Sequence, residues 1–194
     1  MLEQPLDRRQ QILGAVASCV SEEGMGAVTL RNVARRIGAT TGMLTHYYAN
    51  RTALLKDVAT SAEAALHTRI ARRPTLDQHD GWLCALFEES LAPSSPGTLP
   101  WGFWLEYWAS AERDPELGKH SMERLDALRR EVEDCVRAGI EDGTFRGDLD
   151  VRDAAQTIVA FMHGLGMELA VRHERLDTRT RGLFVTLLDG FRAP

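Results

Sequence analysis

The sequence predicts an all-α protein of nine helices, and three observations support this fold class. Apolar residues recur every three to four positions through most of the 194 residues, which is typical of amphipathic helices. No segment alternates β-branched and polar residues, and no Asn-Gly turn that would join a β-hairpin is present. Capping residues, glycines and prolines divide the apolar segments into helices of ordinary length.

The ends of the helices follow from their capping residues. The first helix is predicted over 6–23, because Gly24 and Gly26 can end it. Thr29, Asn50 and Asp150 are predicted N-caps, since their side-chain oxygens can accept a hydrogen bond from a free backbone N–H group. Residues 92–100 and 143–150 are predicted as a loop and a turn. The remaining helices are predicted over 30–37, 41–47, 51–72, 78–91, 101–113, 115–142, 151–172 and 178–191.

Charge divides the chain near Pro74. The formal net charge of the whole chain is −5, which by itself does not favour nucleic-acid binding. Residues 1–73, however, contain ten Lys and Arg against six Asp and Glu, a net charge of +4, whereas residues 74–194 have a net charge of −9. This distribution indicates that only the N-terminal part meets a polyanion.

Several classes of function find no support in the sequence. No apolar run approaches the ~20 residues of a membrane span, and no signal peptide is recognised, so we expect a cytoplasmic protein without a membrane partner. The three cysteines, Cys19, Cys84 and Cys135, are far apart, which favours reduced and mostly buried thiols over disulfides. We found neither metal-ligand spacing nor a catalytic motif, and therefore expect no metal, no cofactor and no enzymatic activity.

Two short helices joined at Gly38 have the arrangement of a helix-turn-helix. The turn between such helices is tight, and glycine accepts the positive φ that it requires. One helix of the pair can enter the major groove of DNA while the other supports it across the backbone. The inward residues are expected to be Val33, Ala34, Ile37, Met43 and Leu44. The outward residues are expected to be Thr40, Thr41, Thr45, His46 and Tyr47.

The run VTLRNVARRIGATTGMLTHYYANRTALL, residues 28–55, resembles the DNA-binding signature of the TetR family of transcriptional regulators. The positions that match in order are Thr29, Ala34, Gly38, Gly42, Leu44, Tyr47, Tyr48, Asn50, Leu54 and Leu55. The segments WLEYWASAERDPEL and DGTFRGDLD are similar to the C-terminal domain of BetI-like members of that family. The resemblance implies a helix-turn-helix domain over 1–56, a linking fourth helix to about residue 73, and an effector-binding and dimerisation domain over 74–194.

This resemblance also implies a function and a set of DNA contacts. It implies a repressor that binds double-stranded operator DNA as a homodimer and is released by an unidentified small-molecule effector. Thr45 and His46 would read bases, whereas Tyr47 would donate to a phosphate. Arg51 stands where the family usually has Lys and would neutralise a phosphate. The complete set of implied contacts is Thr29, Arg31, Thr40, Thr41, Gly42, Thr45, His46, Tyr47 and Arg51.

Aromatic residues of the sixth helix form either an effector site or part of the core. Aromatic faces attract quaternary ammonium and polyamine cations, but the same helical spacing is the ordinary pattern of core packing. Core positions are favoured for Trp104 and Trp108, and pocket positions for Trp101 and Tyr107. Glu106 and Glu168 are expected to be exposed, and His163 to lie in the core or in an interface. The candidate effector residues are Trp101, Trp104, Glu106, Tyr107, Trp108 and His163.

The last two helices are predicted to form the dimer interface. Facing their symmetry mates, they would form a four-helix bundle, and the alternative is burial within one subunit. The predicted interface residues are Phe161, Leu165, Leu169, Phe184, Leu187, Leu188 and Phe191.

Two other functions remain open at this point. A helical small-molecule-binding protein or enzyme with a vestigial helix-turn-helix would bind or convert a ligand without affinity for DNA. An activator or an architectural DNA-binding protein would share the DNA-binding surface but not the repression.

Overall fold

The computed structural model describes residues 5–73, 79–91 and 98–193 of the chain. Over these residues the chain forms nine α-helices, one 3-10 turn over Met25–Ala27, and an isolated β-bridge between Phe145 and Arg192. The helices are α1 (Pro5–Glu23), α2 (Leu30–Arg36), α3 (Thr41–Tyr47), α4 (Arg51–Ala71), α5 (His79–Leu91), α6 (Trp101–Ala111), α7 (Pro115–Glu141), α8 (Val151–Arg172) and α9 (Thr178–Asp189).

The predicted all-α fold is confirmed, and each described helix end lies within two residues of its predicted position. The capping predictions are also confirmed. Thr29 Oγ1 accepts from Asn32 N at 3.1 Å, Asn50 Oδ1 from Ala53 N at 2.8 Å, and Asp150 Oδ1 from Asp153 N at 2.9 Å. The predicted boundary at Pro74, the predicted start of α5 at Gln78 and most of the predicted loop after α5 lie outside the described residues.

The chain divides into two compact units, of which the first comprises Met1–Leu66 and Pro93–Ser121. In this unit α6 groups with the N-terminal helices, and α6 contacts both α1 and the 3-10 turn. Its core contains five side chains that are fully buried, with 0% exposure. They are Val16, Val33, Leu44, Leu54 and Phe103. Burial of one such side chain stabilises the fold by roughly 1.5–3 kcal/mol. The predicted boundary between a DNA-binding and an effector-binding domain at residue 74 stays a prediction, because these packing units describe compactness and not function.

The second compact unit comprises His67–Ala92 and Met122–Pro194. Phe87 of α5 stacks on Phe184 of α9, with ring centroids 4.2 Å apart. The close approach of Phe145 to α7 requires glycine at position 139, because a Cβ there would lie 2.3 Å from the Phe145 ring. Glu89 of α5 binds Arg69, the last basic residue of α4, at 2.9 Å.

Helix α8 is the one helix of the described chain that is long and apolar enough, by length and composition, to span a membrane. A core helix passes the same test, and α8 buries seven residues, among them Ile158, Met162 and Leu169. The packing of these residues in the second unit accounts for part of this composition.

The three cysteines are free thiols. Cys19 is buried, whereas Cys84 and Cys135 are half-buried. Burial raises the pKa of the Cys135 thiol to about 12, and nearby Asp80 and Asp142 act in the same direction. A thiol with a raised pKa is a poor nucleophile, which agrees with a structural role for this residue.

Candidate nucleic-acid interface

The turn between α2 and α3 is fixed by Gly38. Its φ is +65°, a left-handed conformation that glycine adopts without steric cost. Ala39 N donates to Ala34 O at 2.9 Å and Ile37 N donates to Val33 O at 3.2 Å. These two bonds satisfy the Val33 and Ala34 carbonyl groups near the end of α2, and the chain turns sharply into α3.

Helix α3 is anchored by its inner face. Leu44 is 0% exposed and packs in the core of the first unit, with Met43 partly buried beside it. Thr40 caps the helix, since its Oγ1 accepts from Met43 N at 3.2 Å. The sequence indicated Thr40 only as a DNA contact, so the structure adds a capping role for this side chain.

The outer face of α3 is exposed along its whole length. Thr45 Oγ1 donates to Gly42 O at 3.0 Å, which holds that hydroxyl against the helix. A Cβ on Gly42 would meet only Thr40 Oγ1, at 3.9 Å, so packing within the chain does not require glycine there. Tyr47 is 65% exposed, a high value for an aromatic residue. The exposed residues of this face are Thr41, Gly42, Thr45, His46 and Tyr47.

Helix α2 adds basic residues with different surroundings. Arg31 and Arg35 lie one helical turn apart and are exposed. Arg36, in contrast, binds Glu22 at 2.9 Å and also binds Glu23, so its charge is compensated within the chain. For Arg36 the structure therefore favours an intramolecular ion pair over a phosphate contact.

Arg51 is held by backbone carbonyl groups. Its Nε donates to Val28 O at 2.8 Å, and its Nη2 donates to Met25 O at 3.0 Å. The side chain is half-buried. The implied phosphate contact of Arg51 stays a prediction, but two of its donors already have partners in the protein.

The aromatic residues of α6 lie together in the first unit. Phe103 and Tyr107 are 0% and 1% exposed, and the Tyr107 hydroxyl lies 2.7 Å from His120 Nδ1. Tyr107 is thus packed in the core of the first unit, and its part in an effector pocket stays a prediction. Trp104 and Trp108 pack against that core and remain partly exposed, as Trp101 does.

The acidic and histidine residues considered for the effector site each lie in different surroundings. Glu106 and Glu168 are exposed, as predicted, and neither is free. Glu106 Oε2 accepts from Met25 N at 2.9 Å, and Glu168 binds Arg172 at 3.0 Å. His163 lies in the second unit, partly buried on α8. No local pattern indicates the contact of Glu106, since its partner lies 81 positions away.

Three of the seven predicted dimer residues are buried on the inner faces of α8 and α9, and four are half-buried. Phe184 and Leu188 are 1% and 0% exposed, and Leu169 is 9% exposed. These three side chains pack in the core of their own chain, and their part in a dimer interface stays a prediction. The others, which are half-buried, are Phe161, Leu165, Leu187 and Phe191. The exposed apolar residues of these helices are Met167, Val171, Leu183 and Val185.

No group of three or more His, Cys, Asp or Glu that could hold a metal ion occurs within 5–73, 79–91 and 98–193. The described residues thus offer a polar, exposed recognition helix on a buried support, and this arrangement defines a helix-turn-helix DNA-binding protein.

Comparison with known families places the chain more closely. Residues 12–58 match the family described as bacterial regulatory proteins, tetR family, and residues 80–192 match the BetI-type transcriptional repressor C-terminal domain. The chain belongs to the TetR family of transcriptional regulators and has a BetI-type C-terminal domain. The family prediction is confirmed, and the enzyme alternative is not favoured.

Curated relatives agree with this assignment. The HTH-type transcriptional regulator BetI of Cronobacter sakazakii is 26% identical over 94% of this chain and 89% of its own length. The BetI of Pseudomonas fluorescens is 28% identical over 90% of this chain and 87% of its own length.

Solved structures show the same fold. A TetR-family regulator from Rhodococcus superposes with a TM-score of 0.82 at 19% identity, covering 97% of this chain and 100% of that chain. A transcriptional regulator from Saccharomonospora viridis in complex with choline has a TM-score of 0.77 at 19% identity, covering 95% of this chain and 96% of that chain.

The partly buried ring of His163 generates a prediction about acid stability. Burial and then the Arg129 charge lower its pKa to about 4. The unfolded state binds the proton near pH 6.5 and the folded state only near pH 4, so stability is full above 6.5 and falls as the pH decreases towards 4. The loss from this group is about 3 kcal/mol.

We expect His163→Asn to lessen the decline of the unfolding free energy between these two pH values, as measured by urea denaturation. His173 is exposed and has a left-handed backbone that asparagine tolerates, so His173→Asn is the matched control. An equal decline in His163→Asn and wild type would contradict the assignment.

Proposed function

We propose that this chain is a homodimeric, cytoplasmic repressor that inserts α3 of each copy into operator DNA and leaves the DNA when a small organic cation binds. The observation that carries the proposal is the exposed outer face of α3 above the buried Leu44. A major groove admits one helix, and short hydroxyl and ring side chains can reach base edges and phosphates from it.

The exposed faces of α8 and α9 support the dimer. Met167 and Val171 lie one turn apart on α8 and are 51% and 68% exposed, and Leu183 of α9 is 43% exposed. Helix α8 therefore presents apolar residues outward as well as to its own core. A helix that is apolar on both sides is expected to be covered on both, and a second copy of α8 and α9 provides that cover.

The two copies explain how DNA would be bound specifically. A two-fold dimer places two recognition helices about one helical turn of DNA apart, so each reads one half-site. An effector that changes this spacing lowers operator affinity, and a coupling of ~1–3 kcal/mol is sufficient.

The proposed effector class is a quaternary ammonium compound. It is supported by the choline complex of the Saccharomonospora viridis regulator and by three partly exposed tryptophans of α6. The rings of Trp101 and Trp108 lie 5.9 Å apart, and those of Trp104 and Trp108 lie 6.2 Å apart. Indole faces attract such cations more strongly than other aromatic rings do.

The DNA-binding proposal predicts distinct effects for two residues of α3. We expect Tyr47→Phe to weaken binding to all duplexes alike, by roughly tenfold, because a hydrogen bond to a phosphate is lost. Thr45→Ala should instead change base preference at one position of each half-site. Fluorescence anisotropy on a duplex selected by the wild-type protein from a random library, and on single-base variants of it, measures both effects.

Tyr48→Phe is the matched control for Tyr47→Phe. It removes the same atom one residue further on, but the Tyr48 ring is buried and its hydroxyl donates to Asp57 at 2.7 Å. Operator affinity of the folded Tyr48→Phe protein should equal that of the wild type. If the wild-type protein selects no duplex, DNA binding fails and the vestigial-domain alternative gains support.

The effector proposal predicts saturable binding of choline. Titration of the protein with choline should quench tryptophan fluorescence, and Trp101→Phe should lower the affinity by roughly three- to tenfold. Trp82→Phe, on α5 in the second unit, is the matched control and should leave the affinity unchanged. The neutral carbon isostere of choline should not bind. Equal binding of choline and its neutral isostere would refute a cation site.

A further inference from the structure

The turn that leads into the helix-turn-helix has an unusual cap. Gly24 stands at the N-cap of the 3-10 turn with a φ of +79° and supplies no side-chain hydrogen bond. Met25, the first residue of the turn, is 2% exposed and fixes the turn in the core. Two residues after the turn, Thr29 begins to cap α2. The conformation of this turn therefore sets where α2 starts.

A carboxylate from α6 takes the place of the missing cap. Glu106 Oε2 accepts from Met25 N at 2.9 Å. The other oxygen, Oε1, lies 3.7 Å from the position that a Cβ on Gly24 would occupy. A charged acceptor on a backbone N–H is among the stronger hydrogen bonds in proteins, so the bond ties α6 directly to the turn.

The opposite side of the same turn is held by a cation from α4. Arg51 donates to Met25 O at 3.0 Å and to Val28 O at 2.8 Å. The N–H of Met25 thus binds a carboxylate, and its C=O binds a guanidinium. We call Glu106, Met25 and Arg51 the turn clamp.

We propose that the turn clamp positions α2 and α3 for operator recognition, with Glu106 and Arg51 as positioning residues. The proposal rests on the proposed DNA-binding function, adds Glu106 to it, and gives Arg51 an indirect role in it. Displacement of α6 would pull on Met25 N, and displacement of the start of α4 would pull on Met25 O. Either movement reaches Thr29, and through α2 it reaches the recognition helix.

A purely electrostatic role and a positioning role of Glu106 predict opposite changes in affinity for specific DNA when Glu106 is removed. Removal of a negative charge by itself strengthens binding to a polyanion, for specific and unrelated DNA alike. Loss of positioning instead weakens specific binding and leaves non-specific binding unchanged. For Arg51, loss of a phosphate contact lowers the salt dependence of binding by about one counterion, whereas loss of positioning leaves that dependence unchanged.

The test uses the full chain and two duplexes of equal length, one selected by the wild-type protein from a random library and one unrelated. We expect Glu106→Ala to bind the selected duplex about tenfold more weakly than Glu112→Ala does, and to bind the unrelated duplex as tightly as Glu112→Ala does. Glu106→Gln keeps an acceptor for Met25 N and should restore most of the specific affinity. Glu112→Ala is the matched control, because Glu112 is an exposed acid just after α6. Arg51→Ala should weaken specific binding with an unchanged salt slope.

Hydrogen exchange of the free protein tests the clamp without DNA. Amides of residues 25–34 should exchange faster in Glu106→Ala than in wild type, and at the wild-type rate in Glu112→Ala. Unchanged exchange overturns the clamp even if no DNA is bound, which separates its failure from that of the proposed function. Equal DNA affinities of Glu106→Ala and Glu112→Ala would overturn the positioning role of Glu106. A reduced salt slope in Arg51→Ala would overturn that of Arg51.

Discussion

The burial of one face of α3 is the constraint on which the DNA-binding surface depends. A helix of seven residues is too short to be stable alone in water, so α3 exists only while its inner face is packed. Leu44 provides that packing at 0% exposure, and the Thr40 cap and the Gly38 turn fix where the helix starts. Once the inner face is fixed, helical geometry decides that Thr45, His46 and Tyr47 face outward.

The grouping of α6 with the N-terminal helices gives this support a second function. An aromatic helix that packs against α1 and the 3-10 turn stabilises the DNA-binding unit, and it can also transmit a change to it. Glu106 is the polar part of that contact, and Phe103 and Tyr107 belong to the same apolar core. A hydrogen bond between α4 and the residue before α7 also stabilises this unit, since Thr52 Oγ1 donates to Asp114 Oδ2 at 2.6 Å.

Local signals made most of the helices predictable, and long-range contacts were not predictable. Thr29, Asn50 and Asp150 cap helices because the capping bond spans only three residues, so the sequence carries the whole interaction. The inner face of α8 was harder to assign, since Met162 on one side and Met167 and Val171 on the other are equally apolar in sequence. Whether Phe184 meets Phe87 or a second chain depends on tertiary packing, which periodicity does not encode. The partner of Glu106 is likewise set by the fold alone.

The most direct test of the account is hydroxyl-radical footprinting of the full-length protein on a duplex that it has itself selected. Two copies that each insert one α3 predict two symmetric protected patches on one face of the duplex, with centres about 10 base pairs apart. The DNA complex should contain two chains, and Val171→Glu should abolish the paired pattern by placing a charge on the exposed apolar face of α8. A single protected patch would contradict the account. Protection that persists when the base pairs within the patches are changed would also contradict it.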